Sequence, residues 1–205
     1  MKKLVVATNN GHKLQEIREI LKEDNIEVLS LKDLNIDIDV VEDRDTFTGN
    51  AEKKAMEIYD YIVKNNLGDY MVMADDSGLS VDYLKGAPGV YSARYSGEYG
   101  NTSENNKKLL RELQGVPKEK RRAKFICAIV LVISPENIIT VEGESHGYII
   151  EELKGEGGFG YDPLFYVPEF NKTFAEMQGE DKNAISHRGR ALKMLKKELS
   201  NKINN

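Results

Sequence analysis

The sequence predicts a mixed α/β fold on a central sheet flanked by helices, and three observations carry that prediction. Short apolar runs of strand length alternate with stretches of helical apolar spacing. Residues 4–7 precede the stripe Leu14, Ile17, Ile20 and Leu21, and residues 71–74 follow the stripe Ala51, Ala55, Ile58, Tyr59 and Ile62. Two long apolar-rich segments, 122–133 and 138–150, follow each other closely, as paired antiparallel strands do. The chain has 205 residues, 40% hydrophobic and 31% charged, which is globular composition. Cores usually divide only past about 250 residues. With no repeat, linker or composition break, residues 1–205 are expected to form one domain.

The elements follow in order. The apolar run 4–7 is a buried strand, Thr8-Asn9-Asn10-Gly11 a polar turn, and a helix starts at His12. Residues 28–31 form a second strand, and the acidic stretch 37–43 a strand end or loop. Thr46 opens a second helix that Asn65-Asn66-Leu67-Gly68-Asp69 closes. A short strand at 71–74 is expected to end in Asp75-Asp76-Ser77-Gly78, followed by a long glycine-rich loop to Gly100. Thr102 caps a helix with Leu109, Leu110 and Leu113 inward. After the two long strands comes a glycine- and aromatic-rich loop, 155–168. Thr173 with Glu176 forms a capping box, and a last helix follows Ser186.

Composition narrows the function. Twenty-nine Lys and Arg against thirty-four Asp and Glu give a net charge of −5, which argues against a general nucleic-acid binder. The single cysteine, Cys127, excludes an internal disulfide framework and suits a reducing, cytoplasmic setting. No secretory leader is legible behind Met1-Lys2-Lys3, and the longest apolar run falls short of a membrane span.

Five segments have chemistry to offer. Thr8-Asn9-Asn10-Gly11-His12-Lys13 joins a strand to a helix. The N–H groups of a helix start, close approach at Gly11 and the Lys13 charge suit a phosphate, whereas an Asn-capped turn needs the same residues. Asp75-Asp76-Ser77-Gly78, at the end of an apolar strand, suits Mg²⁺ carried on a polyphosphate, and one carboxylate can activate water. The plainer alternative is a polar turn. Glu42 follows Val40-Val41 and can leave a strand end near the same place, whereas Asp43 and Asp45 are assigned to solvent. Lys53 faces either the site or water. Gly157-Gly158-Phe159-Gly160-Tyr161-Asp162-Pro163 can lay a ring against a planar base, and the plainer alternative is a tight turn with core aromatics. Lys182 with Ser186-His187-Arg188 offers an imidazole, a guanidinium and helix N–H groups to an anion or a carbonyl oxygen. No Cys/His spacing suggests zinc, Cys127 is assigned to the core, and the basic run 118–124 to a solvated face.

These blocks, with Gly86-Ala87-Pro88-Gly89-Val90-Tyr91-Ser92-Ala93-Arg94-Tyr95, resemble the inosine triphosphate pyrophosphatase family along nearly the whole chain and in family order. One departure is Gly49, where the family usually has Glu. The resemblance implies Mg²⁺-dependent hydrolysis of ITP, dITP and XTP to the monophosphate and pyrophosphate. It also implies an elongated fold of two lobes around a cleft, and a homodimer. On the matching motifs, Thr8, Asn9, Asn10, Gly11, His12 and Lys13 would hold triphosphate. Asp76 would be general base and metal ligand, Glu42 a second acid at the metal, and Ser77 a substrate contact. Phe159, Gly160, Tyr161 and Asp162 with Lys182, His187 and Arg188 would read base and sugar. Two competing readings are a pyrophosphatase for pyrimidine or modified nucleotides and a non-catalytic nucleotide- or RNA-binding module. Adjacent acids count against the second, because they repel polyphosphate unless metal intervenes.

Overall fold

The computed structural model describes residues 2–203. Strand β1 (Lys2–Val6) leads through an Asn10-capped turn into α1 (Gly11–Leu21), and β2 (Ile26–Ser30) follows. Helix α2 (Phe47–Lys64) starts at a Thr46 cap and precedes β3 (Met71–Val81). Helix α3 (Thr102–Glu112) leads to β4 (Arg122–Ser134) and β5 (Asn137–Ile149). Short strands β6 (Phe165–Val167) and β7 (Lys172–Thr173) precede α4 (Gly179–Ile185) and α5 (His187–Ile203). The strands form one seven-stranded sheet in the order β2-β1-β3-β4-β5-β6-β7. β1 runs parallel to both its neighbours, and β6 is antiparallel to β5 and β7. The mixed sheet flanked by helices is therefore the predicted architecture.

The chain folds as two compact units. The first comprises 1–76, 127–143 and 189–205, and the second 77–126 and 144–188. In the first, strand alternation sends side chains to two cores. Leu4, Val6, Met73, Cys127, Ile129 and Leu131 pack with Ile17 and Leu21 of α1 and Leu192 and Leu195 of α5. Val5, Val72, Ala74, Val130 and Val132 meet Ala51, Ala55, Ile58 and Ile62 of α2. In the second unit, Leu79 and Val81 pack with Leu109 and Leu113 of α3 and with Phe125, Phe165 and Phe174.

Several sequence expectations need correction. β3 does not end at Asp75-Asp76-Ser77-Gly78 but runs through it to Val81, with Leu79 and Val81 buried. Asp-Asp-Ser-Gly is turn composition only in water; here side chains of α1 and α2 satisfy the carboxylates inside the protein. The α3 cap is Asn101, one residue before Thr102. The loop 155–168 contains β6, and α4 went unread because seven residues hold too little periodicity. Arg121, assigned to a solvated run, is buried. Its guanidinium donates to the carbonyls of Val116 (2.8 Å) and Leu113 (2.7 Å) in the turn that follows α3. The capping box of Thr173 and Glu176 is present on a single 3₁₀ turn.

Candidate active site

In the first unit the site begins where β1 stops. β1 accompanies β3 only as far as the Val6–Met73 pair, after which the Ala7 N–H donates to the Met73 carbonyl (2.7 Å). Just beyond, β3 presents Asp75 and Asp76, and as neighbours in a strand they face opposite ways. Asp75 shares the Met73 face. Lys13 Nζ lies 3.1 Å from its Oδ2 and Cys127 Sγ 3.8 Å away. Asp76 shares the Ala74 face, where Asn50 Nδ2 donates to its Oδ2 at 2.9 Å. Asn50 is itself oriented, because its Oδ1 accepts the Arg44 N–H (2.9 Å) and leaves the amide nitrogen to Asp76.

Lys54 completes this cluster. Its ammonium donates to Glu42 Oε1 (2.6 Å) and to the Asp75 carbonyl (2.7 Å) while the residue is buried. Burial pushes Lys54 toward neutrality. The charges of Glu42, Asp75 and Asp76 more than reverse this and hold its pKa above the ordinary lysine value. Asp76 moves up as well. Burial is the main cause and Glu42 adds to it, against the pull of Lys54, Lys13 and the Asn50 hydrogen bond. The result is a carboxylate of raised proton affinity held by a neutral amide, the condition of a general base.

The turn before α1 takes the Asn-capped form that its sequence allows. Asn10 Oδ1 accepts the N–H groups of His12 (3.0 Å) and Lys13 (3.2 Å), two of the donors assigned to phosphate. Thr8 Oγ1 accepts the Asn10 N–H (3.1 Å), and Asn9 Nδ2 reaches Asp39 Oδ1 (3.3 Å). His12 is exposed, and a Cβ at Gly11 would meet no atom within 4 Å. Asp43 is exposed as expected and pairs with Lys53 (2.9 Å), which is half-buried and also approaches Glu57.

The second unit holds the other cluster. Asp162 is buried and accepts at Oδ2 from the Phe159 N–H (2.8 Å) and from Lys182 Nζ (2.7 Å). The loop closes on that carboxylate so tightly that a Cβ at Gly158, whose φ is +70°, would run into it. Above the loop, the Lys182 ammonium lies 5.0 Å and the Arg188 guanidinium 5.9 Å from the Phe159 ring centroid. Arg188, 1% exposed, donates from Nη2 to Ser77 Oγ (3.0 Å). Ser77 therefore orients Arg188. The His187 ring stacks on Phe125, centroids 4.7 Å apart at 12°. Tyr161 departs from its assignment: its ring is in the core and its hydroxyl donates to the Ser92 carbonyl (2.8 Å), so only its backbone is left for a ligand.

Sequence reasoning missed Lys54 and Asn50. The signal for Lys54 was present: at 54 it interrupts the stripe 51, 55, 58 and 62, so a lysine sits on the buried face of α2. A lysine is placed there only where buried carboxylates await it.

The donors offered by Asp76 and Glu42 are carboxylate oxygens, the chemistry of a hard cation. No group of three or more His, Cys, Asp or Glu side chains that could hold a metal ion is found among the described residues. That set fits Mg²⁺, which binds through one or two carboxylates and keeps water and phosphate oxygens for the rest.

Known proteins resemble this chain throughout. The family model described as the Ham1 family matches residues 4–198. A dITP/XTP pyrophosphatase of Clostridium perfringens is 59% identical over 97% of this chain and 98% of its own length. One of Clostridium tetani is 54% identical over 99% and 98%. Among solved structures, the Staphylococcus aureus Ham1 protein superposes with a TM-score of 0.84 at 37% identity, covering 98% of this chain and 100% of that one. The match in sequence reaches from the first strand into the last helix, and the match in structure leaves almost nothing of either chain uncovered, so this chain belongs to the Ham1 family.

Proposed function

We propose that the protein is a nucleoside-triphosphate pyrophosphatase that hydrolyses the noncanonical purine nucleotides ITP, dITP and XTP to the monophosphate and pyrophosphate. The activity in the names of its relatives supports this. The carrying observation is Asp76, a buried carboxylate of raised pKa held by Asn50 in the field of Lys13 and Lys54. In this reading Asp76 takes a proton from water as the water oxygen bonds to the α-phosphorus. The bond from that phosphorus to the α–β bridging oxygen breaks, and pyrophosphate leaves. Lys13 and Lys54 offset charge gathering on the phosphates. Glu42 and Asp76 would hold Mg²⁺, which supplies further neutralisation of the triphosphate when bound. Lys54 already offsets part of their charge.

The second cluster reads the base. Phe159 is the stacking platform, and Arg188 and His187 donate toward O6 of hypoxanthine or xanthine. Adenine presents a donor at that position and is rejected. Arg188→Ala should reduce kcat/KM for ITP and XTP more than for ATP and shrink the inosine preference about ten- to a hundredfold. That is the scale of a hydrogen bond to a charged group, about 1.5–3 kcal/mol. Phe159→Ala should weaken both substrates together, because stacking is nearly blind to the base. Equal losses of ITP and ATP activity in Arg188→Ala would assign Arg188 to phosphate or to structure.

Lys13→Ala should raise the Kd of a triphosphate more than that of a monophosphate. It should also lower Tm, since it strips the cation from Asp75, which is fully buried. Equal loss for both nucleotides would remove Lys13 from the phosphate site.

A homodimer and a cytoplasmic location complete the proposal, and sedimentation velocity tests the first. No helix among the described residues is long and apolar enough to cross a membrane. The decisive experiment is a panel of ITP, XTP, ATP, dTTP and UTP, with and without Mg²⁺, assaying pyrophosphate and phosphate separately. Pyrophosphate from ITP and XTP only with Mg²⁺ is expected. Preference for dTTP or UTP, or binding without turnover, would replace the proposal with one of its two competitors.

A further inference from the structure

Two adjacent asparagines on α3 are both buried in the second unit, Asn105 at 4% and Asn106 at 5% exposure, and they are used unequally. Asn105 satisfies both ends of its amide. Its Nδ2 donates to the Ser92 and Ala93 carbonyls (3.3 and 3.2 Å), and its Oδ1 accepts the Ser96 N–H (2.7 Å). Such an amide ties a helix to a loop at no cost in unmet hydrogen bonds. Asn106 makes one bond: Nδ2 donates to the Gly160 carbonyl at 3.1 Å. Its Oδ1 is buried with no hydrogen-bond partner among the described residues. A buried acceptor without a donor is destabilising, so packing alone favours an apolar residue of this size at 106.

What the amide gains is control of Gly160. Gly160 sits at φ +63° and a Cβ there would meet nothing within 4 Å, so no side chain of its own steers this peptide. Its neighbour Phe159 is fixed by Asp162, which takes the Phe159 N–H at Oδ2 (2.8 Å) and gives its own N–H to the Phe159 carbonyl (3.2 Å). Asp162 therefore anchors Phe159 from one side, and Asn106 anchors the following carbonyl from α3.

We infer that Asn106 is a positioning residue for base recognition: by holding the Gly160 carbonyl, it sets the plane on which Phe159 receives the purine. The inference rests on the proposed function, because it assigns the platform to a nucleotide base. Asn106 touches neither the acid cluster nor, in this reading, the phosphates. Its loss should act on the base half of the ligand alone.

The test compares the full-length wild type with Asn106→Leu, which keeps the volume and removes both the donor and the unmet acceptor. KM and kcat for ITP, inhibition constants for IMP and for inorganic tripolyphosphate, and Tm are measured. The ITP KM and the IMP inhibition constant should rise together about three- to tenfold, the scale of one neutral hydrogen bond. The tripolyphosphate constant should stay within about twofold, and Tm should not fall. Unchanged ITP KM and IMP binding would overturn the inference, as would a lower Tm with all three ligands weakened alike. If the Leu variant does not fold, Asn106→Ala removes the same donor with no added bulk or charge, and the ITP KM, IMP and tripolyphosphate criteria decide. A wild type that binds IMP but does not hydrolyse ITP sinks the proposed function, and dissociation constants of IMP and tripolyphosphate measured by calorimetry then decide Asn106. A wild type that binds no IMP overturns both.

Discussion

Asp76→Asn lowers kcat for ITP by at least about 10²-fold, the scale of losing a general base, while the fold and nucleotide affinity persist. The substitution is nearly isosteric, and its amide can turn its oxygen toward Asn50 Nδ2, so the contact seen at 2.9 Å survives. What disappears is the proton acceptor. Each neighbouring acid is engaged directly by an ammonium: Asp75 by Lys13 at 3.1 Å and Glu42 by Lys54 at 2.6 Å. Asp76 has its pKa raised above the ordinary carboxylate value, mainly through burial. Steady-state kinetics with calorimetry of nucleotide binding checks this, and near-wild-type kcat would move the base to Asp75 or Glu42.

Lys54→Met should cost about 3 kcal/mol of stability. Removing one partner of a buried ion pair strands the others, and here Glu42, Asp75 and Asp76 all lean on one ammonium. For a chain of this length, that lowers Tm by about 6–12 °C. The loss should be largest in Mg²⁺-free buffer with chelator, because a divalent cation can partly replace the missing charge. Scanning calorimetry with and without Mg²⁺ reads both effects. A Tm within about 2 °C of wild type in chelator would mean that water reaches these carboxylates and that the cluster is not the low-dielectric site described.

The order of strands and helices was legible because apolar spacing changes cleanly from one period to the other, as at Ala7 to Leu14 and at Ile62 to Met71. The site was legible as a set of segments and less so as contacts. Asp75-Asp76 invited a turn with two acids for one ion. The strand through them sends each to a different helix, and composition does not reveal which neighbouring strand stops short. Asn10 and Tyr161 carry side chains suited to ligands, but the nearest unsatisfied groups were a helix start and a backbone carbonyl of the same chain. Lys54 escaped notice because a charge beside Lys53 looks like surface until the helical face is counted.

The two units are threaded through each other along the chain: the first is assembled from three stretches and the second from two. The core under Asp75 joins Leu4 of the first strand to Leu192, Leu195 and Leu199 of the last helix. On a ribosome, that core therefore lacks one of its walls until α5 has emerged. For the same reason neither unit can be cut out or exchanged as one continuous piece of gene, and a stop codon before α5 would leave the core under Asp75 open.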